Sequence, residues 1–72
     1  MITEKIRFKI KFEREKRGIS QEGLALEAGM SRSAIWKIES GKVSPTLETL
    51  EKIAKALDMD FNALMDVSKV EL

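Results

Sequence analysis

The chain has 72 residues, enough for one domain with a small core, and it contains no cysteine and no histidine, which removes disulfides, thiol chemistry and the usual transition-metal ligands. No apolar run approaches the ~20 residues of a membrane span, and no signal-peptide pattern opens the chain. The net charge of +1 hides a gradient, from seven basic and three acidic residues in 1–17, through three of each in 18–45, to three basic and six acidic in 46–72; such a polarised molecule can orient on a polyanion, or the charges can be solvated helix faces.

The first segment, 3–17, carries two signals. Ile6, Phe8, Ile10 and Phe12 alternate with charges at a strand period. Against that, Ile6 and Ile10 stack at i, i+4, Thr3 fits an N-cap, Gly18 fits a stop, and Glu, Lys and Arg dominate between them. The helical signals outweigh the alternation. Later segments start more clearly. Ser20, Ser31 and Asp60 read as N-caps, each preceded by an apolar residue (Ile19, Met30, Met59) that can pack on one four positions past the cap (Leu24, Ile35, Leu64). Thr46 caps a further helix after Pro45, with Leu47, Leu50, Ile53, Ala54 and Leu57 as its apolar stripe. Gly29 and Gly41 stand where the second and third helices should stop. The expected spans are 3–17, 20–28, 31–40, 46–57 and 60–66, in one domain covering 1–72 with a core over about 3–66. The tail, 67–72, is apolar at Val67, Val70 and Leu72 and either extends the fifth helix, frays, or pairs with a second chain. Gly23, inside the second helix, costs about 1 kcal/mol relative to alanine, and no sequence feature accounts for it.

The stretch 20–42 says most about function. It reads as two short helices joined at a glycine, the second opening with Ser31, Arg32 and Ser33 and carrying Lys37 one turn on, with Ile35 and Ile38 behind. A helix with that outer face can lie in a DNA major groove and offer hydrogen-bond donors to bases and phosphates.

Arg14, the run GISQEGLALEAGMSRSAIWKIESGK at 18–42, SPTLETLEKIAKAL at 44–57 and FNAL at 61–64 resemble the Cro and lambda-repressor-like helix-turn-helix proteins, often called the XRE family. The glutamine after the cap, the Leu-Ala pair, the glycine turn, the Ile-x-x-Ile-Glu run and the Gly-Lys end fall in register over about residues 6–65. The resemblance implies an all-α, compact five-helix fold with the helix-turn-helix at helices 2 and 3. It also implies sequence-specific binding to double-stranded DNA, usually as a homodimer; a cytoplasmic location fits the composition, and no cofactor or metal is expected. Carried over by position, Gln21 meets a phosphate, while Arg32, Ser33 and Lys37 face base edges beside Ser31. Ser40 and Lys42 meet the backbone just past the third helix. Arg14 and Glu39 match a pair that forms an internal salt bridge in the family.

Each residue has a competing reading. Arg32 can bind guanine O6 and N7 in bidentate fashion, worth about 1–3 kcal/mol of discrimination, or hold a phosphate. Lys37 serves a base or a phosphate, and Ser33 can serve several bases. Trp36 departs from the family pattern and either packs on the nucleic acid or folds over neighbouring side chains. Glu13, Phe12 and Leu26 depart too; Phe12 and Leu26 are expected to touch and cover each other. Apolar residues at the back, namely Met59, Phe61, Leu64, Met65, Val67 and Val70, are divided between the core and a dimer surface. Catalysis has no support: there is no glycine-rich phosphate loop, and five short helices enclose no cleft for paired carboxylates. The chain is expected to stand alone as a small transcription regulator, whether a phage repressor, a restriction–modification controller or an antitoxin, with a polymerase or toxin as possible protein partner. The different-class alternative is a protein-interaction module that uses the same fold without DNA.

Overall fold

A computed structural model describes residues 2–71. Leu72, expected as part of the apolar tail, lies outside the described residues, as does Met1. The helices are α1 (Ile2–Lys16), α2 (Gln21–Ala28), α3 (Arg32–Glu39), α4 (Leu47–Ala56) and α5 (Phe61–Met65), with no strand among the described residues.

The ambiguous first segment is helical. Ile6 and Ile10 are buried while Phe8 and Phe12 stay exposed, which is the separation a 3.6-residue period produces; a strand would have put all four on one face. Since α1 begins at Ile2, Thr3 sits inside its first turn and does not cap it. The other caps are local and sharp: the side chains of Ser20, Ser31, Thr46 and Asp60 accept from the backbone N–H of Gly23, Ala34, Thr49 and Asn62. Ile19, Met30 and Met59 lie half-buried against the core that holds Leu24, Ile35 and Leu64, so the chain enters each helix at an angle set by apolar contact.

Four helices end on the same paired hydrogen bonds. In α2 the N–H of Met30 reaches the carbonyl of Ala25 at 2.8 Å and the N–H of Gly29 that of Leu26 at 3.3 Å, with Gly29 at φ +67°. That turn is left-handed, which a side chain resists and glycine accepts. At the end of α4 the same pair runs from Met59 to Ala54 and from Asp58 to Lys55, but the left-handed residue is Asp58, at φ +57°.

The core is one cluster. Ile10, Leu24, Ile35, Ile53, Leu57 and Leu64 are fully buried, each worth about 1.5–3 kcal/mol of transfer energy. α1 packs on α3 and α5, α2 on α3 and α4, and α4 on α5, so α3 is held from behind by two helices.

Several expectations need correction. Phe12 is 59% exposed and Leu26 79% exposed, so they do not cover each other; Lys16 Nζ instead stands 5.9 Å from the Phe12 ring centroid. Glu13 is buried between Lys9 and Arg17, one turn away on either side, and the Arg17 hydrogen bond holds its carboxyl below the usual range. At Gly23 a Cβ would lie 3.2 Å from both Ile19 Cγ2 and Ser20 Oγ, so a larger residue there would press on the cap and the residue before it. The chain after α5 turns back rather than extending the helix. Asp66 accepts from the Ser68 N–H at 3.1 Å and hydroxyl at 2.7 Å, which lowers its carboxyl pKa, and Lys9 Nζ donates to the Asp66 carbonyl at 3.0 Å. Finally, Leu64 is 0% exposed, so it belongs to the core and offers nothing to a dimer surface.

Candidate nucleic-acid interface

α3 has two sides. Ile35 and Ile38 are buried beneath it, while Arg32, Ser33, Trp36 and Lys37 are exposed, at the i, i+1, i+4, i+5 spacing that collects side chains on one helical edge. Ser31 is exposed, and its hydroxyl oxygen accepts the Ala34 N–H at 3.0 Å. Its lone pairs therefore start the helix, leaving the O–H as a donor. Ser40 and Lys42 are exposed at the far end, where the Ser40 hydroxyl bends onto the carbonyl of Lys37 at 3.3 Å. A groove of about 290 Å³ runs beside α3, with Ser33, Lys37, Ser44, Thr46 and Thr49 among its lining residues. These polar groups share the groove with apolar Met30, Ile38, Val43 and Pro45, so its lining is mixed. Trp36 is 48% exposed, so its indole is half-packed on the protein and half-presented outward.

Beneath this edge lies a buried ionic cluster. Arg14 Nε donates to Glu39 Oε2 at 2.7 Å and Nη2 to Oε1 at 2.9 Å, a two-point pair that raises the Arg14 pKa above its usual value. Arg14 Nη1 donates to the carbonyl of Ile19 at 2.8 Å. Gln21 Nε2 donates to Glu39 Oε1 at 3.1 Å, so this side chain, expected to point at a phosphate, is also engaged with the protein. α1, the entrance to α2 and the end of α3 therefore meet at one carboxylate.

Arg7 gave no signal in the sequence. Its Nη1 lies 3.4 Å from the Glu39 carbonyl, and its Nε would lie 3.1 Å from a Cβ placed on Gly41. The cation sits at the negative end of α3, and the bare backbone at Gly41 lets it approach. The partners are 32 residues apart, and no local pattern announces such a contact.

Two short helices joined through a left-handed glycine, the second turning a polar and cationic edge outward, define a helix-turn-helix protein. The chain belongs to the helix-turn-helix family, whose model matches residues 10–64. Among its relatives is the ImmF control region 10 kDa protein of Bacillus phage phi105, 36% identical over 55 residues, a match that covers 76% of this chain and 61% of the relative. The chain spans 38–61% of the lengths of that protein and of two longer Bacillus and phage regulators it also matches. Among solved structures, the restriction-modification controller protein C.AhdI from Aeromonas hydrophila is similar at a TM-score of 0.82 and 32% identity, over 86% of this chain and 94% of that one. The controller C.Esp1396I bound to a 25 base pair operator site is similar at a TM-score of 0.84 and 30% identity, over 94% of this chain and 95% of that one. No described helix is long and apolar enough to cross a membrane.

Proposed function

We propose that this protein is a sequence-specific double-stranded DNA-binding transcription regulator that lays α3 in the major groove. The observation that carries the reading is the outward edge of α3, where Arg32, Ser33 and Lys37 are exposed over buried isoleucines. The likeness to a controller bound to an operator site supports it. In this reading Arg32 takes the two acceptors of a guanine, Ser33 and Lys37 contact neighbouring bases or phosphates, and Trp36 packs on sugar or a thymine methyl group. Gln21 at the start of α2 and Ser31, Ser40 and Lys42 around α3 hold the phosphate backbone.

The regulator acts as a homodimer in the cytoplasm by binding, not catalysis. Two copies place their α3 helices about one DNA turn apart, ~34–36 Å, on a two-fold operator. The surface for that pairing is the half-buried apolar set Met59, Phe61, Met65, Val67 and Val70 on and around α5. Its relatives include a phage control-region protein and the control protein C.BamHI, and its structural neighbours a restriction-modification controller; autoregulation of a mobile or defence gene cluster is the role proposed for this chain.

Selection from a pool of random duplexes followed by titration of the enriched sequence tests the reading. A two-fold symmetric motif with a guanine in each half-site is expected. A folded dimer that enriches no motif would overturn it.

A further inference from the structure

Resting on the DNA-binding reading above, we infer that Glu39 is a positioning residue for the phosphate contact and acts through Gln21. Glu39 is buried and does not reach the outer edge. Its carboxylate is pinned at both oxygens by Arg14, and Oε1 accepts in addition the Gln21 amide. A carboxylate held at two points by a planar guanidinium cannot rotate, so the amide bonded to it is oriented in turn. Without that anchor, a half-exposed glutamine would sample several rotamers and both amide faces.

The orientation has a chemical consequence. A primary amide nitrogen carries two N–H donors. One is taken by Glu39; the other has no protein acceptor among the described residues and is left for an anion. Beside it are the first backbone N–H groups of α2, which have no partner within the helix and form the positive end of its dipole.

Charge matters equally. A lone carboxylate within hydrogen-bond reach of the phosphate-binding amide would repel the phosphate. Arg14 neutralises it, so the cluster of Arg14, Glu39 and Gln21 has net charge zero. Because Glu39 ends α3 and Gln21 begins α2, the same bond fixes the span between the backbone anchor and the base-reading edge.

The test is a double-mutant cycle on affinity for the selected duplex, comparing the native protein, Gln21→Ala, Glu39→Gln and the double variant at a temperature where each is folded. Glu39→Gln sets an amide nitrogen against donors from Arg14 or Gln21 and so releases the glutamine. Gln21→Ala is expected to weaken binding about tenfold, the size of one hydrogen bond to a charged group. Glu39→Gln also frees the Arg14 charge to attract phosphate in both backgrounds, so its effect on affinity should be about tenfold more unfavourable with Gln21 present than in the Gln21→Ala background. An effect of Glu39→Gln that is the same in the Gln21→Ala background would overturn the inference. The free native protein gives a second readout that needs neither DNA nor a folded variant. One Gln21 side-chain amide proton should be shifted and slow to exchange in NMR spectra; two solvent-like protons would overturn the positioning role alone. Absence of any duplex binding, with that proton protected, would overturn the regulatory reading instead.

Discussion

Replacing Glu39 by alanine should come close to unfolding the domain. The substitution leaves Arg14 Nε and Nη2, now bonded at 2.7 and 2.9 Å, and Gln21 Nε2 without their acceptor. Arg14 is buried, so its charge would face protein and not water. Removing one partner of a buried pair costs about 3–5 kcal/mol. A 72-residue domain has a total stability of only about 4–11 kcal/mol. At about 4–8 °C per kcal/mol for a domain of this size, Tm should fall by at least ~12 °C. Thermal and urea melts measure this directly. The companion variant Arg14→Met with Glu39→Leu removes both charges and should recover most of the loss, since apolar groups of similar volume often replace a buried pair at little cost. A Tm for Glu39→Ala within ~4 °C of the native value would refute the reasoning, as would a companion variant less stable than Glu39→Ala itself.

Four further outcomes are expected. Asp58→Gly should stabilise the domain by about 0.5–1 kcal/mol in urea melts, because the left-handed turn at φ +57° is strained for a side chain while glycine's added unfolded-state freedom offsets part of the gain; a destabilised variant would contradict this. Glu13 has its pKa lowered from 4.5 by the Arg17 hydrogen bond, so the unfolded chain takes up more protons than the folded one between the two values, and the contribution is present above 4.5 and lost as pH falls through the lowered value. The stability gap between the native protein and Glu13→Gln at pH 7 should therefore close in acid, and a gap constant with pH would count against the pairing. Phe12→Ser and Leu26→Ser should each change stability by no more than about 0.5 kcal/mol, since both side chains are exposed. Arg32→Ala should relax discrimination at one base position by about 1–3 kcal/mol, whereas Lys42→Gln should weaken all duplexes alike and reduce the salt slope of binding by about one; the reverse pattern would exchange their roles.

What the sequence made legible was local. Ser20, Ser31, Thr46 and Asp60 announce helix starts because a cap involves residues two or three positions apart, and each helix began one residue after its expected cap. α1 was readable despite its alternating apolar residues, because stop chemistry and helix propensity outweighed a four-residue pattern. The polar edge of α3 was equally visible as spacing. Long-range features were not. The bond between Gln21 and Glu39 joins residues 18 apart, and Arg7 over Gly41 depends on the angle at which α1 crosses α3, which no local rule supplies. Leu64 could not be divided between core and surface because apolar residues stand on both sides of it at 59, 61, 65, 67 and 70, too many for one face of a short helix to sort by spacing. Phe12 and Leu26 were expected to touch because both are apolar where polar residues usually stand, and composition alone says nothing about direction.

The division of α3 into a buried support and a free outer edge means that its readout is portable. Ile35, Ile38 and Glu39 tie the helix to the body, the side chains at 32, 33 and 37 are exposed, and Trp36 is divided between the two sides. Exchanging Arg32, Ser33 and Lys37 should retarget the protein to a different operator while its folding is left intact, which makes this scaffold a candidate for building orthogonal genetic switches.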